Sequence, residues 1–540
     1  MASHFKWYPS SEEIVVPWNA RYAFPSQANK AVKMTPRIPP KAGQTFAPGQ
    51  IIRLEFPAQG YVNPTNTTLE FDVTIAGPTF SASTAYYARF QNNIQSIFQR
   101  VRILYGATPL EDLLNYNVIV RCLTEWTSTN QIMTMDQTSI AEGIGGVIFG
   151  YDNNATFPKQ GVLNVRQNFI QGLEFNTATT GADLNGGTGA GSIPNRSSTL
   201  PGVTLPAGAL ATTRRYQVNL ATGIFTQDKL IPVKFMASQL AIELTLEQPQ
   251  ACMLFENITG TTTTNFPTYY VGNVNLIPEI LEFDASYDAM FLRGLREGGV
   301  PIKFSSWHTF MFSSSSASNV NLQIQERSRS VKALFAVQRV SQPQYSSDTH
   351  ATLFDTSAAG TSALQSYQFR IGGRYFPAAP VQCALTLGSG LSNGAAEAFV
   401  ELQKALNCVG DYRLSSSVNA TRWGVQGGVG GSLLNRDFVT GFSGFDTSGR
   451  PNVFTTVSTT NSFVTITGSQ CFAMAIDLET SNGMEISGLN AEEQSDISLL
   501  AQWYSPQVTG SLNTASALEV YAYFDEMIVL RENNVLELIQ

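Results

Sequence analysis

The sequence predicts an all-β chain: two consecutive eight-stranded antiparallel jelly-roll β-sandwiches with short inserted helices. Three observations carry the prediction. Segments of alternating apolar and polar residues recur along the chain, a β-rich segment followed by a helix occurs twice at matching places, and 540 residues suffice for two full cores. The expected division is an extended N-terminal arm over 1–46, a first sandwich over 47–290 and a second over 291–540.

Residues 1–46 hold Pro9, Pro17, Pro25, Pro36, Pro39 and Pro40 with little periodicity, which suits an extended arm. Strand patterns begin at Ile51–Phe56 and continue through Thr68–Ala76, where Leu69, Phe71, Val73 and Ile75 alternate with polar residues. The stretch Ile94–Trp126 then reads as a strand, a glycine break at Gly106 and a helix. Pro109 suits a first helical turn, Glu111 and Asp112 suit the positive end of the helix dipole, and Leu113, Tyr116, Val120 and Leu123 recur at helical spacing. The neutral, Gly- and Thr-rich segment Asn176–Thr213 is expected to be an exposed excursion between strands. Strands resume at Tyr216–Leu220, Lys229–Phe235, Gln239–Leu246 and Tyr269–Phe283.

Asp284–Gly299 is the best boundary, a short helix ended by paired glycines. Beyond it, strands are expected at Ile302–Phe312, Val320–Gln325 and Ser330–Val340. Another covers Tyr367–Phe376 with an internal Gly-Gly pair. Gly394–Asn407 follows as a helix with Ala395, Phe399, Leu402 and Leu406 on one face, capped by Ser392 or Asn393. The order strand, glycine, helix thus repeats that of Ile94–Trp126, and the repeat rests on order rather than on residue identity. A second loop-rich interval, Val409–Arg450, precedes strands at Val453–Ile466, Cys471–Leu478, Ile497–Trp503, Leu518–Phe524 and Met527–Leu530.

Charged residues make up 14% of the chain, against roughly a quarter in an average globular protein. Such neutral flanks fit strands covered by neighbouring subunits, and β-rich secreted enzymes share the property. A net charge of -8 argues against direct coating of nucleic acid, which needs clustered Lys and Arg. Residues 1–46 depart from the average with six basic residues (Lys6, Arg21, Lys30, Lys33, Arg37, Lys41) against Glu12 and Glu13. These charges are spread rather than blocked, so the reading is a solvated or partner-bound arm. The five cysteines, Cys122, Cys252, Cys383, Cys408 and Cys471, are far apart and read as reduced thiols. The N-terminus lacks an apolar signal region and no run of 18 apolar residues occurs, so synthesis without secretion is expected.

No catalytic, cofactor-binding or metal-ligating residue is assigned. His4, His308 and His350 stand in unrelated contexts without ligand spacing. The Gly186–Ser192 run GGTGAGS lacks the Lys-Ser/Thr and helix of a phosphate loop, and GFSG at Gly441–Gly444 lacks a full nucleophile elbow. The adjacent acids Asp525 and Glu526, or Glu492 and Glu493, would point to opposite faces of a strand rather than flank one bond. They read as solvated or cross-subunit partners. Sequons at Asn66, Asn154, Asn195, Asn257 and Asn419 are what an Asn- and Thr-rich chain produces by chance.

The run SIFQRVRILYGATPLEDLLNYNVIVRCLTEW resembles the strand, turn and helix segment of the double jelly-roll major capsid proteins of tailless icosahedral double-stranded DNA viruses. LIPVKFMASQLAIELTLE, RSRSVKALFAVQRV, YQFRIGGRYFPAAPV, FAMAIDLETSNGMEISGLN and the closing LEVYAYFDEMIVLRENNVLELIQ are similar to further elements of such proteins in polinton-like viruses, virophages and large eukaryotic DNA viruses. The resemblance implies upright jelly rolls, a homotrimer with a pseudo-hexagonal outline, and trimers tiling an icosahedral virion. Neighbouring capsomers, penton and minor capsid proteins, and an internal membrane beneath the N-terminal base are the implied partners, with no enzymatic activity. The competing readings are a secreted-type carbohydrate-binding or hydrolytic β-sandwich, and a viral fibre or minor vertex protein.

Overall fold

A computed structural model describes residues 31–76, 86–90, 94–127, 147–150, 163–166, 211–257, 268–313, 319–340, 364–383, 396–407, 472–479, 487–492, 496–503, 516–531 and 536–539. The first sandwich is built from β1 (Ala31–Met34), β2 (Ile51–Glu55), β3 (Tyr61–Ala76), β4 (Phe98–Tyr105), β5 (Thr108–Leu114), β6 (Ala211–Val218), β7 (Leu240–Leu246) and β8 (Thr268–Phe283). One sheet runs in the order β1-β8-β3-β6 and the other β2-β7-β4-β5, with each of these ladders antiparallel. The second sandwich repeats this wiring. Its strands are β9 (Val300–Ser313), β10 (Asn319–Ile324), β11 (Val331–Val340), β12 (Leu364–Ile371), β13 (Arg374–Gln382), β14 (Met474–Asp477), β15 (Ile497–Trp503) and β16 (Ser516–Leu530). They form sheets β9-β16-β11-β14 and β10-β15-β12-β13. Both halves are therefore jelly rolls, and the chain is a double jelly roll.

Period-two burial explains the cores. In β3, Leu69, Phe71 and Val73 are buried, and in β7 Leu240, Ile242, Leu244 and Leu246 are buried. Phe71 meets Phe98 edge-on at 5.7 Å across the gap between the two sheets of the first sandwich.

Helix α1 (Tyr116–Thr127) follows β5, and α2 (Ala285–Glu297) joins β8 to β9. The Asp284 side chain accepts the Ala285 N–H at 2.7 Å, and Gly298 closes the helix, as the sequence predicts. Tyr61 packs edge-on against Phe283, Tyr287 and Phe291 at 5.2–5.5 Å and donates to Asp288 at 3.0 Å, which fixes α2 on the first sandwich. The expected 290/291 division lies inside this helix. Helix α3 (Ala396–Ala405) buries Ala398 and Leu402 and places Phe399 and Leu406 partly against the core; its expected caps Ser392 and Asn393 lie outside the described residues.

Four local expectations need correction. The helix expected from Pro109 begins only at Tyr116, because Thr108–Leu114 folds back on Phe98–Tyr105 as the other arm of a hairpin across Gly106, which has φ +61°. Asp112 is the cross-strand partner of Arg100, at 2.5 and 2.7 Å, rather than a helix-dipole acid. The single strand expected over Tyr367–Phe376 is likewise a hairpin, turning at Gly372 and Gly373 with φ +55° and +80°. Lys229–Phe235 is not a strand: Ile231 bridges Val62, and Val233–Phe235 forms a 3-10 turn. Finally, Ala31–Met34 pairs with Met34↔Ile280 through Ala31↔Phe283, and Thr45–Phe46 pairs with Gly272 and Val271. These parts of the expected arm belong to the first sandwich, since their backbone groups find partners on β8. Residues 176–210, 409–450 and 453–466 lie outside the described residues.

Candidate functional site: the seam between the sandwiches

The two jelly rolls meet along a seam built by β5, its turn and α1 on one side and the outer face of sheet β9-β16-β11-β14 on the other. Register defines that face. Trp307 pairs with Tyr523, Thr309 with Tyr521 and Met311 with Glu519, so these side chains share one side of the sheet, joined by Phe335 opposite Tyr521. Trp126 of α1 stacks on Phe335 at 5.5 Å and 23°, and Trp307 lies 5.5 Å from the same ring. Trp126, Trp307 and Phe335 are all buried.

Polar groups set the register of the seam. At the end of β5 the Leu114 carbonyl accepts the Thr309 hydroxyl at 3.0 Å. Asn115, with φ +52°, turns the chain from β5 into α1, a conformation that Asn tolerates better than most residues. In that position its amide donates to Glu519 Oε1 at 3.2 Å and lies 3.2 Å from the Met311 sulfur. Glu519 also accepts the Tyr521 hydroxyl at 2.5 Å.

Glu111 is the centre of the polar seam. It is 3% exposed, and its carboxylate accepts the Gly223 N–H at 2.8 Å, the Ile224 N–H at 3.2 Å and the Ser306 hydroxyl at 3.0 Å. The first two donors open a single helical turn, Gly223–Thr226, while Ser306 comes from β9 of the other sandwich. Burial pushes the Glu111 carboxyl up to about 7, and the three donors moderate that rise. Gly223 is required by space: a Cβ there would stand 2.1 Å from the Ser305 carbonyl oxygen and 2.7 Å from the Phe304 ring.

The residues singled out for chemistry do not converge. His4 and His350, Gly186–Ser192 and Gly441–Gly444 lie outside the described residues. His308 Nδ1 lies 3.0 Å from Glu326 Oε2, and its ring packs on Phe524 at 4.2 Å. Burial pushes the Glu326 carboxyl up, but His308 and the Ser328 hydroxyl and N–H outweigh it and hold it below its ordinary value. Asp525 accepts from Ser305 and Ser330, each at 2.9 Å, so it is bound within its own sandwich rather than solvated, while Glu526 is buried. Glu492 holds Arg329 at 2.8 Å in an exposed pair; Glu493 is outside the described residues. Asn66 donates to Glu279 at 3.1 Å. Cys252 and Cys383 are buried thiols, Cys122 is partly buried, and Cys408 and Cys471 fall outside the described residues. Among the described residues no group of three His, Cys, Asp or Glu side chains could hold a metal ion, and no helix is long and apolar enough to cross a membrane.

Sequence reasoning passed over the seam because its signals are nonlocal. One trace was visible. The run ALFAV at Ala333–Val337 is apolar without alternation, the pattern of a strand covered on both faces.

No protein-family profile and no curated sequence matches the chain. Solved structures do. The chain is similar to viral major capsid proteins. The mavirus major capsid protein aligns over all of this chain and 94% of its own, at 10% identity and a TM-score of 0.47. The Faustovirus major capsid protein aligns over 96% of this chain and 93% of its own, at 9% identity and a TM-score of 0.49. A chain of the Sputnik virophage structure aligns over 98% and 92%, at 12% identity and a TM-score of 0.47.

Proposed function

We propose that the chain is a major capsid protein, a structural subunit whose homotrimers form pseudo-hexagonal capsomers of an icosahedral virion. One observation carries this reading: two jelly rolls of identical wiring are joined head to tail through a buried seam that uses different surfaces of each. A joint of that kind between like units propagates, and closes into a ring when the rotation allows. Three such chains supply six similar lobes, enough to occupy a sixfold lattice position with one gene product. Neighbouring capsomers, penton and minor capsid proteins, and a membrane reached through the N-terminal base are the partners this role calls for. Formation in the host cell and residence in the particle follow from the same role.

The test is the mass of the native protein by light scattering, with electron microscopy of the same sample. A mass of three chains with triangular or hexagonal outlines, or larger shells, is the expected result. A stable monomer that never assembles would overturn the proposal.

A further inference from the structure

Because the two sandwiches share one wiring, the outer faces of sheets β2-β7-β4-β5 and β10-β15-β12-β13 correspond position by position. In the first, Arg53 pairs with Glu243, and Glu243 with Arg102. In the second, Asn321 pairs with Leu500, and Leu500 with Gln368. The hairpins anchor this match, since Arg102 and Gln368 each stand three residues before a two-residue turn, Tyr105 pairing with Thr108 and Ile371 with Arg374.

The matched faces carry opposite chemistry. On the first, ions run across all four strands: Lys41 to Glu55 at 2.9 Å, Glu55 to Arg53 at 3.0 Å, Arg53 to Glu243 at 2.8 Å and Glu243 to Arg102 at 3.4 Å. Asp112 continues the chain, 3.6 Å from Arg102 and 2.5 Å from Arg100. Each of these ions is thus paired within its own sandwich. On the second face, β10 turns Asn319, Asn321 and Gln323 to solvent, and β15 places half-buried Leu500 between Ser498 and exposed Gln502. Among the described residues that register assigns to this face, Arg370 alone is charged, and Asp496 holds it. Tyr375, opposite Arg370, is 49% exposed.

An apolar centre ringed by uncharged amides, with charge depleted, is the composition of an interface core rather than of a solvated face. Side-chain amides both donate and accept, so a face of Asn and Gln is complementary to its own copy about a two-fold axis. Docked instead on the ion chain of a first sandwich, it would strip water from charges that are already paired and form no new ion pair. Resting on the assembly reading above, we propose that the outer face of β10-β15-β12-β13 packs on the same face of a second copy, across a two-fold axis near Leu500 that joins one trimer to the next. Area sets the strength of this contact. Four strands about 4.8 Å apart and three outward rows about 6.7 Å apart cover roughly 400 Å² per chain. Two such faces bury roughly 800 Å², below the roughly 1,200 Å² at which specific, stable pairs begin. One contact is therefore weak by itself, and it holds when several act together between trimers.

The experiment transplants the chemistry of the first face onto the second, with Asn321→Arg, Leu500→Glu and Gln368→Arg in one full-length chain. Light scattering should give this variant the trimer mass of the wild type, while the concentration at which trimers associate rises at least tenfold. Transplanted trimers that associate as readily as wild type overturn the contact. Wild-type trimers that stay single at every concentration also overturn it and leave the trimeric capsomer standing, whereas a monomer overturns both. A second measurement is independent of the folding of the triple variant. Asn321→Cys alone, treated with a short bismaleimide in the associated protein, should give linked pairs of chains and nothing longer, with position 321 joined to position 321 by mass spectrometry. Associated protein without that link above the wild-type background overturns the contact.

Discussion

Strands β3 and β11 hold the same position in the same wiring, third along their sheets, yet they read differently. In β3 the buried Leu69, Phe71 and Val73 alternate with Glu70, Asp72 and Thr74, and the last three carry polar contacts to Arg37, Arg215 and Thr213. In β11, Ala333, Leu334, Phe335, Ala336 and Val337 are each no more than 1% exposed. The difference is what covers the outer face. Trp126 of helix α1 covers β11 at Phe335, with Trp307 beside the same ring, whereas the outward Glu70, Asp72 and Thr74 of β3 meet polar side chains of their own sandwich. Hydrophobic pattern therefore reports coverage rather than fold: one topology accepts an alternating strand where a face is left open and a continuous apolar strand where a neighbouring lobe docks.

Substitutions at the outward positions break this comparison most directly. Phe335→Ala should cost about 3–5 kcal/mol, the range for removing a buried aromatic, and should uncouple the unfolding of the two sandwiches. Calorimetry checks it, one transition splitting into two being the expected trace.

A smaller, pH-dependent effect comes from Glu111. Its folded-state carboxyl, pushed from 4.5 up to about 7, binds a proton more tightly than the unfolded chain does. Stability should therefore fall as pH rises from 4.5 to 7 and level off above, by at most about 3.5 kcal/mol at about 1.4 kcal/mol per pKa unit. Glu111→Gln should remove that slope. Denaturant midpoints at a series of pH values test this, and the difference between the two proteins is the readout, because Asp72 and Glu279 lie below their ordinary range and act in more acidic solution. Asp72→Ala, at the outward position in β3, should change monomer stability by less than about 1 kcal/mol, as for other exposed ion pairs. A loss as large as that at Phe335 would show that the outer face of β3 is not open in the free chain.

Much of the fold was legible because it is local. Alternation located β3 and β7, and Asp284 with Gly298–Gly299 marked both ends of α2, since a cap and a terminator act within a few residues. The strand, glycine, helix order pointed to the internal repeat even though its hairpins were misread. Those misreadings share a cause. Pro109, Glu111 and Asp112 meet the rules for a first helical turn, but Arg100 and the Gly223–Ile224 backbone are remote in sequence and give the same acids better partners in a strand. Ala31–Met34 reads as arm because its partner strand comes some 250 residues later.

The sequence by itself determined two all-β units, the connecting helix and the repeated order of elements, all consequences of side-chain periodicity and short-range backbone preference. Only the tertiary structure decided that Glu111 is a buried bridge, that Gly223 must lack a Cβ, and that Trp126 closes on Phe335. Each depends on a partner from another sheet or the other sandwich, and no local pattern encodes the distance between residues that meet only after both lobes have folded.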